Sequence, residues 1–391
     1  MVQPRLIGLD YLRVFLVLLG IPFHTVLFLA WRLSDFTLAL PSLAQLTATL
    51  PYPAASLLVG FFSFYLYWMP VFFLLAGFFA HFAYQQRGMK AFALNRLRRI
   101  GGPLLFCTLW LVLFGWLIDG LSCYFSSLAK VATLLHEAYR QEGGLLGLLN
   151  HLGSVWFLYD LVIFYGLTLA LLSLQRCFSL LQRGWQFFDH SLTRLFIKQW
   201  HYGLFALLGV FLMAKSVWLG YTPLDASVKP DGCLLIFYGV WYAMGWWLWK
   251  HQGQFKRFFK HSWKMFFIAM LLYSAFLGCY YAAANTEQRY VKGIGLVLDQ
   301  LALSVSVFAL FGIAWHSTML QHTVVRYLSG ASYWLYLTQI AFITAFMALT
   351  TPSAAQFYQQ SLQISVATLC LSLLSYQFIV RSTWLNRVVG G

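Results

Sequence analysis

Ten apolar stretches of similar length recur along the chain, near 12–31, 55–82, 102–122, 153–174, 201–221, 233–249, 265–283, 294–315, 327–350 and 361–380. Each is close to the roughly 20 residues that an α-helix needs to cross the hydrocarbon of a bilayer. The pattern predicts an all-α, polytopic integral membrane helical bundle of about ten transmembrane helices. Composition agrees: 61% of the 391 residues are hydrophobic and 9% are charged, against about 45–50% and about 25% in soluble domains. So much apolar surface exceeds what a water-soluble core of this size hides. The 16 Trp, 22 Tyr and 37 Phe suit a chain whose aromatic rings meet the headgroup boundary.

The loops between the runs set an orientation. Eighteen Lys and Arg collect on the side that carries both termini, and six on the other; the positive-inside rule places both termini in the cytosol. The net charge of +15 is therefore topological, and a nucleic-acid partner is not expected. The first run follows Arg5 as a signal peptide would, but it is long and no small-residue cleavage site follows, so it reads as a retained helix. The longest polar connections are near 123–152 and 175–200, and no internal repeat is visible. A single transmembrane domain over 1–391 is expected. Cys107, Cys123, Cys177, Cys233, Cys279 and Cys370 show no CxxC spacing, which predicts no zinc or redox site. Cys123, Cys233 and Cys279 should lie near the outer face, where spacing supports no particular bridge.

Ionisable groups inside a span are costly and mark functional sites by default. The first run carries Asp10, Arg13 and, after Gly20-Ile21-Pro22-Phe23, His24. Arg13 and His24 are eleven residues apart, which puts them on one helix face, within about 20° and about 16 Å apart along the axis. Asp10 falls near the same stripe. Such a face suits one long ligand. Arg13 at the cytosolic mouth suits a phosphate, and His24 past mid-membrane suits proton transfer. Acyl-CoA has that form, with phosphates at one end and a thioester at the tip. The competing structural reading has Arg13 snorkelling to the interface and His24 in an interhelical hydrogen bond. Asp160, Lys215 and Asp299 are expected level with His24, either as a structural ion pair such as Lys215 with Asp299 or as a polar cavity for the acceptor. The cytosolic run Asn95 to Pro103, with Arg96 and Arg99, serves topology or holds phosphates beside its Gly-Gly. The remaining histidines lack metal-ligand spacing, so no metal is expected.

These residues resemble the acyltransferase-3 family of integral membrane acyltransferases. Arg13 to His24 is similar to its R-x10-H signature, and Met69 to Phe78 to its second-helix element, with Ala76 in place of the usual Ser. Arg96-x-x-Arg99 resembles its R-x-x-R element, Trp156-Phe157-Leu158 its W-F-L element, and Ala331 to Leu337 its late A-S-x-x-x-Y-L helix. Gln339-Ile340 stands where a His-His pair often follows. The residues around His24, with His316, look most like a branch associated with succinylation of osmoregulated periplasmic glucans.

The resemblance implies a bacterial inner-membrane O-acyltransferase. Its donor is acyl-CoA, such as succinyl-CoA, and its acceptor is a hydroxyl of a periplasmic or surface glycan. It further implies catalytic roles for His24 and Arg13, a coenzyme contact for Arg96, Arg99 and Trp156, and an acceptor region near Tyr336 and Gln339. His24 would act as general base or as brief acyl carrier. The rival function is a transporter of a polar or lipid-linked solute, which also uses broken helices and midplane charges.

Overall fold

The computed structural model describes residues 6–33, 52–105, 155–177, 179–214, 230–286, 289–317, 322–383 and 385, and contains no strand among them. The main helices are α1 (Ile7–Leu33), α2 (Tyr52–Arg96), α3 (Trp156–Cys177), α4 (Ser179–Ile197), α5 (His201–Met213), α6 (Gly232–Lys250), α7 (Ser262–Thr286), α8 (Arg289–His316), α9 (Thr323–Ala348) and α10 (Phe357–Ser375). π-helical turns at Leu97–Gly101 and Tyr376–Val380 extend α2 and α10.

Among the described residues, seven helices are long and apolar enough to cross a membrane, or eight if the bent pair of α4 and α5 is one span. The difference from ten has three sources. Most of the stretch near 102–122 lies outside the described residues. The stretch near 201–221 is described only to 214, and its helix α5 meets α4 at 113°. The stretch near 327–350 forms α9, whose 26 residues reach about 39 Å; with Ser329, Ser332, Thr338 and Gln339 among its apolar residues, it is not one of the seven. α2 is two helices joined at Gly88, whose φ of 72° glycine alone adopts without a steric cost. That break turns the chain between the stretch near 55–82 and the arginines that follow it.

The centre of the bundle is aromatic. Phe73, Phe78, Tyr238, Trp241, Trp247, Phe308 and Phe311 are almost fully buried in one contiguous cluster. Lipid offers helices no hydrophobic reason to associate, so close backbone approach has to supply the contact. The α2–α6 pair shows it: a methyl at Gly77 would collide with the Tyr242 carbonyl, and one at Gly245 with the Leu74 carbonyl. The amphipathic α4, which we read as lying along the membrane surface, is tied down by its Asp189. That carboxylate accepts from Trp247 Nε1 at 2.7 Å and Lys250 Nζ at 2.8 Å. Cys233, Cys279 and Cys370 are free thiols; Cys107 and Cys123 lie outside the described residues.

Candidate functional site

α1 and α9 run parallel, and their contacts keep one register over the length of both. Near the N-terminal end, Arg13 Nη2 donates to the Ser329 carbonyl at 3.1 Å and to the Ser329 hydroxyl. Asp10 completes this knot, 3.3 Å from Arg13 Nη2 and accepting from Ser329 Oγ at 3.0 Å. Midway, Gly20 lies against Gln339; a methyl on it would stand 3.1 Å from Gln339 Oε1. At the far end Arg32 donates to the carbonyls of Met347 and, at 3.3 Å, Thr350. Arg13, Gly20 and His24 fall within about 40° on α1, so the two expected site residues share the face on which Gly20 meets Gln339 of α9 and Trp68 of α2.

His24 sits on this seam in an aromatic setting. Its ring centroid is 5.8 Å from Trp68 and 6.1 Å from Phe28, and Phe23 meets it edge-on at 5.2 Å. Nδ1 lies 2.8 Å from the Gly20 carbonyl. A carbonyl only accepts, so Nδ1 carries the proton in this bond, and the neutral ring then presents Nε2 as its basic nitrogen. An imidazole held in this way can serve as a general base.

Along α9 a set of side chains links the Arg13 end to the His24 level. Tyr333 donates to the Arg99 carbonyl at 3.0 Å, Tyr336 packs on Phe157 at 6.0 Å, and Gln339 follows. Ser329 to Gln339 spans about 15 Å, nearly the Arg13–His24 interval. Phe157 also meets Phe72, which meets Trp68, so an aromatic wall runs from Tyr336 back to His24.

The arginines after the Gly88 break behave differently from one another. Arg96 is turned inward: Nη2 donates to the Phe79 carbonyl at 3.2 Å and the guanidinium stands 5.2 Å from the Tyr165 ring centroid. Arg99 is half-buried, close enough to Arg87 and Arg96 for their charges to weigh on it, and its backbone meets α9. Trp156 is not beside them. It is buried among Phe73, Phe157 and Tyr238, nine residues along α3 from the Tyr165 that touches Arg96, about 13 Å away along the axis. Its packing is that of a core residue.

The remaining expected residues divide in the same way. Asp160 is buried on α3 within electrostatic range of Tyr238. Asp299 is buried on α8, accepts from Gln300 Nε2 at 2.9 Å, and lies near Tyr273, itself near Tyr67. Lys215 lies outside the described residues. His316 is exposed at the end of α8, its Nδ1 2.8 Å from the Gly312 carbonyl. It flanks the start of α1, where Gly8 packs on the Ala314 carbonyl, sixteen residues from His24.

Ser329, Tyr333 and Trp68 are the seam residues that the sequence reading did not single out. Polar groups recurring at helical spacing in an otherwise apolar run, Ser329, Tyr333 and Tyr336, are the signal that points to them.

A family model described as an acyltransferase domain matches residues 6–377. No curated protein and no solved structure matches the chain.

Proposed function

The chain belongs to the acyltransferase-3 family, and on that premise we propose that it is a membrane-bound O-acyltransferase using acyl-CoA. The observation that carries the reading is that one guanidinium bonded to α9 and one imidazole packed on Trp68 of α2 share a face of α1, about 16 Å apart. The phosphates of the donor lie at the Arg13 end, with Arg99 across α9, and the thioester reaches His24. An acceptor hydroxyl enters from the opposite side. His24 Nε2 takes its proton as the oxygen attacks the thioester carbonyl; the carbon–sulfur bond breaks, and the proton passes to the departing thiolate. The resemblance to the glucan biosynthesis protein C branch supports a succinyl donor and a periplasmic glucan acceptor, in a bacterial inner membrane with both termini cytosolic.

The test is release of free coenzyme A thiol by purified protein in proteoliposomes given acyl-CoA and glucan, with mass spectrometry of the glucan. Thiol release matched by an ester on the glucan is expected. Solute flux without thiol release would instead make the protein a transporter.

A further inference from the structure

Gln339 is 3% exposed, and its Oε1 is buried with no hydrogen-bond partner among the described residues. Burying an acceptor without a donor is costly, and buried polar groups in folded proteins are nearly always paired. An orphaned amide oxygen on a seam built to take a ligand therefore points to a donor that arrives with the ligand.

Its depth says which donor. Gln339 Oε1 is level with Gly20, four residues before His24 and so about 6 Å from it on the Arg13 side. Consider a pantetheine thioester with its carbonyl at His24 and its phosphates toward Arg13. Neither the sulfur nor the thioester oxygen donates a hydrogen bond. The first group that does is the amide N–H of the cysteamine unit, two methylenes from the sulfur and about 4–5 Å from the carbonyl, little more than one residue of extended chain. We infer that Gln339 Oε1 accepts a hydrogen bond from this N–H, so that the seam recognises the pantetheine arm as well as the charged end of the donor. Trp68 covers the same spot, its Cζ2 standing 2.6 Å from where a Gly20 methyl would be; entry of the arm displaces the indole. The inference rests on the acyl-CoA reading and adds to it the residue that reads the arm.

The experiment is calorimetric binding to the full chain in nanodiscs, with two probes: coenzyme A, and coenzyme A whose cysteamine amide is replaced by an ester, which exchanges the N–H for oxygen. The wild type should bind the ester about tenfold more weakly, the loss of one hydrogen bond. In Gln339→Met the two probes should bind alike, and Gln339→Asn, which withdraws the amide by one methylene, should behave the same way. Both probes are measured on one preparation, so partial loss of folded protein cancels in the ratio. Coenzyme A binding with no preference in the wild type, or a preference that survives both substitutions, overturns the inference and leaves the acyl-CoA reading standing. Absence of coenzyme A binding removes both.

Discussion

The α2–α6 interface and the α1–α9 seam are both helix contacts inside one bundle, yet they are built on opposite rules. At α2–α6, Gly77 and Gly245 each press on the other helix's backbone, and Phe73, Phe78, Tyr238 and Trp241 fill the space around them. The polar contacts of this pair, His81 Nδ1 with the Trp246 carbonyl and Trp249 Nε1 with Gln85, lie beyond the glycines, and nothing around the glycines leaves room. Along α1–α9 polar contacts recur at intervals, with Arg13, Asp10 and Ser329 at one end, Gln339 midway and Arg32 at the other, and Val17, Ile21, Ala331 and Leu335 packed between them. Helices in lipid are held by close packing where the contact is structural, and carry polar groups where a ligand or a proton has to pass. The contrast separates the scaffold from the chemistry, and it can be broken from either side.

The largest effect should come from the seam. His24→Ala is expected to lower turnover by about 10²–10⁴-fold, the range for loss of a general base, while thermal stability in detergent stays near that of the wild type. A variant that unfolds and one that stays folded but inactive are told apart by size-exclusion profile and melting curve. Next, Gly245→Leu should remove the scaffold and not the chemistry: forcing side-chain volume against the Leu74 carbonyl costs about 1–3 kcal/mol or more, and yield and melting temperature should both fall. If Gly245→Leu melted like the wild type, the backbone approach would not be what holds α2 to α6. Ser329→Ala should act more gently. It takes one hydroxyl from Arg13 and Asp10 but leaves the Ser329 carbonyl in place, so the KM for acyl-CoA should rise by a factor of about five, roughly 1 kcal/mol, with kcat unchanged.

The smallest effect belongs to a region outside both. Burial pushes the Asp189 carboxyl up, but the hydrogen bonds from Lys250 and Trp247, with the nearby charges of His251 and Lys250, outweigh it and hold the group below the ordinary carboxylate range. A depressed acid contributes stability that is present above its unfolded pKa and lost as pH falls through the folded one. The melting temperature should therefore decline below about pH 4, by an amount worth about 0–1 kcal/mol for a partly exposed pair. In Asp189→Asn that part of the acid decline should be absent.

Much of this division was legible in the sequence, for a physical reason. A spanning helix has to be apolar, so each polar residue in the first run stood out, and a spacing of eleven residues fixed Arg13 and His24 to one face before any neighbour was known. The parallel register of α9 was not legible, because nothing in a single run tells which other run its polar face will meet. Trp156 teaches something else. The resemblance implies a coenzyme contact for it, and its ring is buried among Phe73 and Tyr238, about 13 Å along α3 from the Tyr165 that touches Arg96. Ser329 and Gln339, which interrupt the apolar run of α9, are the residues that meet α1. Nothing in the sequence sets Gly88 apart, and its positive φ is what separates the first part of α2 from Arg96 and Arg99.

One kinetic comparison bears directly on whether a single extended thioester occupies the seam from Arg13 to His24. The rates of Arg13→Ala and His24→Ala are measured with acyl-CoA and with the matching acyl-pantetheine, which keeps the arm and thioester but lacks the phosphates. The seam predicts that His24→Ala is slow with both donors, whereas Arg13→Ala loses about 10–100-fold in kcat/KM with acyl-CoA, a charge-assisted contact, and nothing with acyl-pantetheine. An equal Arg13 penalty with both donors would mean that this guanidinium holds α1 to α9 and never meets the phosphates, which contradicts the account.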